Sequence, residues 1–423
     1  MLFSIPVLSS GQIIKFENSS WWIDGKFRKI NIYSVNGEFA KSFNGRVDTT
    51  IDLKNSYCIP PFGDAHTHNL DGGYRLKETI ESYLEEGVFY IQVLGNHGKA
   101  VARTRTALAS LNKIEVRYAN GVLTSTYGHG FYPFEPLAMG IYAPYLQIKF
   151  ADSIKKSRLV ENDAYYFLDN PDDVDLKWQL IMRYAPDLIK ICLNDCVNYI
   201  EKRKKAIADD NGLSREVAAH VVKKAHAEGK RVIAHVETAE DARICATIGV
   251  DGLAHLPGYY WDGTEQKRKK YCMTRRDVKL FKQSGLSIIP TVNINGTTKF
   301  DTAGKPVVHA DRYKLKIKYQ KKMLRLLLKK NVPIALGGDY FGKTVTPELD
   351  SLLIHHFLSN KQLLDLYCRA TPQSIFPGRK IGKIEEGYEA SFLVLESNPI
   401  VNFAATRKIV SRFRKGKFLY PTY

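Results

Sequence analysis

Between residues 59 and 372 the chain repeats one pattern, a short apolar run followed in most cases by a segment with helical spacing. Eight runs qualify: IPPFGDAH (59–66), VFYIQVLG (88–95), VRYANGVLT (116–124), PDLIKICL (186–193), RVIAHVE (231–237), GVDGLAH (249–255), LSIIPTV (286–292) and VPIALGGD (332–339). In the segment SREVAAHVVKKAHAEG, Val217, Ala218, Val221, Val222 and Ala225 form an apolar stripe and Gly229 supplies a stop. Eight strand–helix alternations point to an α/β protein of the (β/α)8 barrel type. A doubly wound sheet is the competing arrangement. It is disfavoured because no Gly-rich dinucleotide fingerprint follows any of the strands; GVFYIQVLGNHGKA lacks the glycine spacing.

The two ends read differently. IIKF, WWIDGKF, KINIYSV and TTIDL are short strand patterns, with turns at Asp24-Gly25 and Asn36-Gly37. ASFLVLES and KIVSRFRKGKFLY behave alike near the other end. Residues 1–58 and 373–423 are therefore expected to form one small β domain beside a barrel at 59–372. MLFSIPVLSSGQ reads as a first strand, with a trimmed or atypical signal peptide as the alternative. The segment 125–180 is long and holds STYGHGFYPFEPLAMGIYAPY, the make-up of a lid or substrate-binding element.

Composition narrows the class. Apolar residues at 44% and charged residues at 25% exclude a disordered chain, and no apolar run is long enough to span a bilayer. Six scattered cysteines (58, 192, 196, 245, 272 and 368) contain no metal or redox spacing, which favours buried thiols in a reducing compartment. The expected location is cytoplasmic, or periplasmic or secreted if a signal peptide is present. The net charge of +18 sits in runs at 202–205, 267–270, 314–330 and 407–417. In KLKIKYQKKMLRLLLKK, Leu315, Ile317, Tyr319, Met323, Leu326 and Leu327 alternate with cations, as on an amphipathic helix with a solvated basic face. No nucleic-acid motif accompanies these runs. The expected partner is a small-molecule substrate and not a specific nucleic acid, with a homo-oligomer possible.

Chemistry concentrates at strand ends. In Asp64-Ala65-His66-Thr67-His68, alternation turns His66 and His68 to one face. His235 lies near the end of the fifth run; His255 and Asp339 close the sixth and eighth, and Lys190 lies inside the fourth. These are carboxyl-terminal strand positions, where barrel active sites are built. Convergent imidazoles and a carboxylate suit a divalent metal such as zinc. Asp64 is expected to face inward as an acceptor for an imidazole N–H or as a buried structural carboxylate. At the mouth, His129, Tyr127, Tyr260 and His97 are substrate-binding candidates, with Tyr259, Trp261, Arg183, Tyr199 and Arg203 nearby. His220, His226, His309, His355 and His356 fall on helices or outer loops and are expected to be non-ligands.

PPFGDAHTH, RVIAHVE, GLAHLPG, IALGGD and IGKIEEGYEASFLVLESNP together resemble the amidohydrolase superfamily, most closely its prolidase and imidazolonepropionase-like members. The resemblance spans about residues 10 to 415 and implies a TIM barrel with a composite β-sandwich domain. It implies a binuclear metal centre with two zinc ions per chain, as the family pattern has it. His66, His68 and Asp339 would hold the more buried ion and His235 and His255 the other, bridged by a carboxylated Lys190 and a hydroxide. Asp339 would also carry the proton from the metal-activated hydroxide to the leaving group. The implied activity is metal-dependent hydrolysis of a C–N bond (amide, peptide-like or cyclic amide) or a C–O bond of a small molecule. Two alternatives stand: a mononuclear-metal deaminase, for which Glu237 is the nearest acid, and a basic binding protein on an inactive barrel.

Overall fold

The computed structural model describes residues 12–72, 75–207, 211–294, 299–300, 306–307 and 310–419. The expectations for the first eleven residues and for His309 lie outside them.

The first strands are β1 (Ile13–Ile23), β2 (Lys26–Lys29), β3 (Ile32–Val35), β4 (Glu38–Ala40) and β5 (Thr49–Ile59). The two expected turns are present. Asp24 and Gly25 (φ +50° and +72°) link β1 to β2, and Asn36 and Gly37 (+54° and +83°) link β3 to β4. This is the left-handed pair that a tight two-residue hairpin requires. IIKF and WWI belong to one strand, interrupted by a bulge between Glu17 and Ser19.

The barrel-type strands follow: β6 (Phe62–Thr67), β7 (Val88–Val93), β8 (Glu115–Tyr118), β9 (Val122–Thr124), β10 (Tyr165–Phe167), β11 (Leu188–Leu193), β12 (Arg231–Val236), β13 (Gly252–Ala254) and β14 (Ser287–Ile289). They pair in parallel as expected, but as two sheets, β6-β7-β8 and β10-β9-β11-β12-β13-β14. The expected continuous ring is interrupted twice. The third run breaks at Asn120, whose φ of +58° turns the chain, so that β8 stays with β7 and β9 joins β11. The eighth run forms no ladder: Pro333 has no N–H, and the chain reaches left-handed φ at Asp339. It is held instead by a bridge between Ile288 and Ile334 and by Ala65 N–H donating to Leu336 at 2.7 Å. Gly337 is required there, because a Cβ would stand 2.6 Å from the Cβ of His66.

After the small pair β15 (Lys299–Phe300) and β16 (Pro306–Val307), the chain ends with β17 (Phe392–Leu395), β18 (Ile409–Arg414) and β19 (Lys417–Phe418). The two ends do meet. β17 pairs with β5, giving one eight-stranded sheet in the order β19-β18-β17-β5-β1-β3-β4, with β2 on β1. Hydrogen bonds join strands from both ends of the chain into this one sheet. Its own core includes Phe16, Trp21, Phe392 and Phe413, the last two rings stacked at 4.5 Å.

The basic helix departs from its expected face. In Ala310–Lys329 the buried side chains are Lys316, Gln320, Met323, Leu324 and Leu327, whereas Leu315 is exposed. The 3.6-residue period places Lys316 on the apolar stripe. Lys316 is fully buried and its Nζ has no hydrogen-bond partner among the described residues. Burial pushes its amine down to about 7, against partial support from Asp262 and Cys272. Below pH 7 the amine is charged in both folded and unfolded chains, and the full cost of burying it is present. The cost fades as pH rises from about 7 toward 10.5, where only the unfolded chain still binds the proton. Lys316→Met is therefore expected to stabilise the protein by on the order of 3 kcal/mol near pH 6, and progressively less above pH 7. Denaturant unfolding of both proteins across that range checks this; a gain independent of pH would refute the electrostatic cause.

Candidate metal and active site

His66, His68, His255 and Asp339 converge. His66 Nε2 lies 3.1 Å and His68 Nε2 3.0 Å from the same oxygen, Asp339 Oδ1, and His255 Nε2 lies 3.7 Å from Oδ2. Ligand atoms of His66, His255 and Asp339 all fall within 4.8 Å of one another, a grouping able to hold a metal ion. Neighbouring groups orient the rings: His68 Nδ1 meets Gly95 O at 2.9 Å and His255 Nδ1 meets Thr291 Oγ1 at 2.7 Å. Three residues here hold left-handed backbone: His255 (φ +91°), Thr291 (+44°) and Asp339 (+56°). Such strain persists only where the surroundings impose it, and it clusters at working sites.

His235 adjoins this group, its ring 4.7 Å from that of His255. His129 stacks on His235 at 3.9 Å, and the Tyr259 hydroxyl lies 3.4 Å from His235 Nε2. Glu237 stands 3.8 Å from the same nitrogen. Lys190 is 4% exposed, and among the described residues its Nζ has no hydrogen-bond partner. Register explains its place: β11 runs beside β12 with Lys190 opposite Ile233 and Cys192 opposite His235.

Burial sets the protonation states. It holds His66 down to about 4, against the opposing pull of Asp339, and keeps His235 and His255 well below the usual imidazole range. These rings are neutral at pH 7, the form that binds metals. Burial also brings Lys190 down to about 8. Burial alone would raise the Asp339 carboxyl, but His66, His68 and His255 outweigh it and hold Asp339 ionised.

The remaining candidates divide. Tyr260 is exposed, with its ring edge-on to Tyr259. His97 precedes the helix Gly98–Leu111, and its Nδ1 lies 3.5 Å from Asp163. Tyr127 packs on Phe131 and Phe167, with Lys155 and Arg158 over its ring. Arg203 ties that loop down, donating to Thr126 O and pairing with Asp169 at 2.8 Å. Asp64 accepts main-chain N–H groups of His66 and Gly338, each at 3.2 Å, in place of an imidazole N–H, and burial raises its carboxyl to about 7. Sequence reasoning did not single out Thr291, Phe341, which stacks on His68 at 4.8 Å, or the buried Glu348. Thr291 lies within the seventh apolar run, so its polarity was the available signal.

The sequence model of the amidohydrolase family matches residues 57–419. The chain belongs to the amidohydrolase family. It is a hydrolytic enzyme acting on carbon–nitrogen bonds, in a family that is generally metal-dependent. No curated protein sequence matches it. Among solved structures, an A. niger ochratoxinase superposes with a TM-score of 0.71 at 17% identity, covering 97% of this chain and 96% of the other. A Xaa-Pro dipeptidase with bound methionine in its active site gives 0.69 at 18%, covering 96% and 100%. A molinate hydrolase gives 0.69 at 13%, covering 98% and 96%. At these identities the likeness is one of fold. Among the described residues, no helix is long and apolar enough to cross a membrane.

Proposed function

We propose that this amidohydrolase cleaves an amide, peptide-like or cyclic amide bond of a small molecule at a binuclear divalent-metal centre, with zinc the expected ion. The observation that carries this reading is the convergence of three imidazoles on the Asp339 carboxylate. The donor set fits the group: neutral imidazoles, one ionised carboxylate, and a buried His66 Nδ1 and Lys190 Nζ that have no hydrogen-bond partner among the described residues. His66, His68 and Asp339 would hold one ion and His235 and His255 the other, with Lys190 between them as a carbamate. When bound, such ions supply Lewis acidity toward a carbonyl and bring the pKa of water toward neutrality. Asp339, ionised and held by two imidazoles, takes the proton of the attacking water at its carboxylate and hands it to the leaving nitrogen. His129 stacks on His235 and Tyr259 on His255, so aromatic surface covers the imidazoles on the side of the loops.

The reading includes a (β/α)8 barrel at 59–372 and a β-sandwich built from 1–58 and 373–423, which the meeting of β5 and β17 supports. It also places the enzyme in a reducing compartment. All six cysteines are buried and none is bonded to another.

Chelation tests the core of the proposal. Dialysis against a strong chelator is expected to abolish hydrolysis of a panel of N-acyl amino acids, dipeptides and cyclic amides, and added zinc to restore it. Activity that survives with less than one residual metal per chain would refute it. A metal content of one ion rather than two would favour the deaminase arrangement.

A further inference from the structure

Glu348 lies in the first turn of the helix Thr346–Ile354, and its side chain is fully buried. Its carboxyl group accepts the main-chain N–H of Asn293 at 2.9 Å and that of Val292. The turn it grips, residues 291–293, has two arms. Thr291 presents Oγ1 to His255 Nδ1 at 2.7 Å, and Asn293 Nδ2 donates to Gly338 O at 2.8 Å. Gly338 N–H donates to Asp64 at 3.2 Å, so polar groups hold the chain on both sides of this glycine. The next residue is Asp339, whose own N–H donates to His66 O at 2.6 Å.

We infer, on the metal-site reading above, that Glu348 is a positioning residue: by holding the 291–293 turn it sets His255 through Thr291 and Asp339 through Asn293. Those are two of the three residues grouped as a possible metal site. The arrangement needs an anchor. Thr291 and Asp339 both sit in left-handed backbone, which is strained at a non-glycine residue and relaxes unless the surroundings oppose it. A buried carboxyl group on the first turn of the helix Thr346–Ile354, accepting two N–H groups of one turn, provides that opposition. Glutamine keeps an oxygen in the same place. Leucine keeps the bulk and removes the acceptor.

The test is zinc binding by the metal-free protein, titrated against a chromogenic chelator, for wild type and for Glu348→Gln, Glu348→Leu, Thr291→Val and Asn293→Ala. Glu348→Leu is expected to weaken zinc binding by about 10- to 100-fold, the range found when groups that orient metal ligands are removed. Glu348→Gln should stay within a few-fold of wild type. Thr291→Val and Asn293→Ala should each weaken binding and shift the visible absorption of the cobalt(II)-loaded protein, a signature that lost stability alone does not move. In the Glu348→Leu background Thr291→Val should add less than it does alone, because the turn is already released. If Glu348→Leu does not fold, the two single-arm variants carry the test. Wild-type affinity and an unchanged cobalt spectrum in folded Thr291→Val and Asn293→Ala would overturn the positioning role. Failure of the wild-type chain to bind zinc would instead overturn the metal-site reading itself.

Discussion

Asp339→Asn is expected to leave a folded protein whose turnover falls by about 10³- to 10⁴-fold, near the upper end of what a single proton-transfer group contributes. The substitution is isosteric, so the surrounding packing is undisturbed. What changes is the charge and the ability to hold a proton. Asp339 Oδ1 receives both His66 and His68 at 3.1 and 3.0 Å, and the three imidazoles around the carboxyl hold it well below its usual range. It is therefore ionised, and able to act as a base, at neutral pH. An amide cannot take a proton at neutral pH, and its NH2 would face the imidazoles with donors of its own. Circular dichroism and elemental analysis of the same preparation separate loss of catalysis from loss of fold or metal. A variant with full metal content and wild-type turnover would end the assignment of Asp339 as the proton carrier.

The parts of this site that were legible in the sequence share one property: they stand on apolar strands or one residue past their ends. His66 and His68 follow from the two-residue alternation of β6, and His235 and His255 from runs too apolar to tolerate an idle polar group. Lys190 is the plainest case, since a lysine in LIKICL has no reason to be there as a packing residue. What stayed hidden depends on long-range partners. Asn120-Gly121 carries the same local turn signal as Asn36-Gly37, but nothing local shows which sheet each half of the third run joins, or that VPIALGGD would be held by a few main-chain hydrogen bonds to β6 and β14. Lys316 was read as solvated because it lies in a basic run, although the helical period alone puts it beneath Gln320 and Leu324. Glu348 sits in an ordinary helical first turn, where acidic residues are common, so only the position of the 291–293 turn reveals its use.

Lys190→Met is expected to move stability and activity in opposite directions. The amine is buried, has no hydrogen-bond partner among the described residues and is brought down to about 8 by burial. In the metal-free protein it is a liability at neutral pH, and an apolar side chain of similar length removes it, as replacing buried charges by packed apolar groups often does. Melting temperature of the metal-free variant should rise. The gain should be greatest below about pH 8, where the amine is charged in both states, and should decline as pH rises from about 8 through 10.5, where the folded amine is neutral and the unfolded one is losing its proton. Yet in the proposed enzyme the same nitrogen, unprotonated in roughly a tenth of molecules at pH 7, adds to carbon dioxide, releases a proton and becomes a carbamate with two oxygen donors. Methionine cannot do this. Metal content should therefore drop from two ions per chain to one or none, and turnover by on the order of 10²-fold or more, at least the loss seen when groups supporting a metal site are removed. Carbon-13 bicarbonate gives an independent readout, since wild type should show a carbamate resonance that the variant lacks. A variant that is more stable yet keeps two ions and normal turnover would mean that Lys190 is a tolerated defect of packing rather than part of the site.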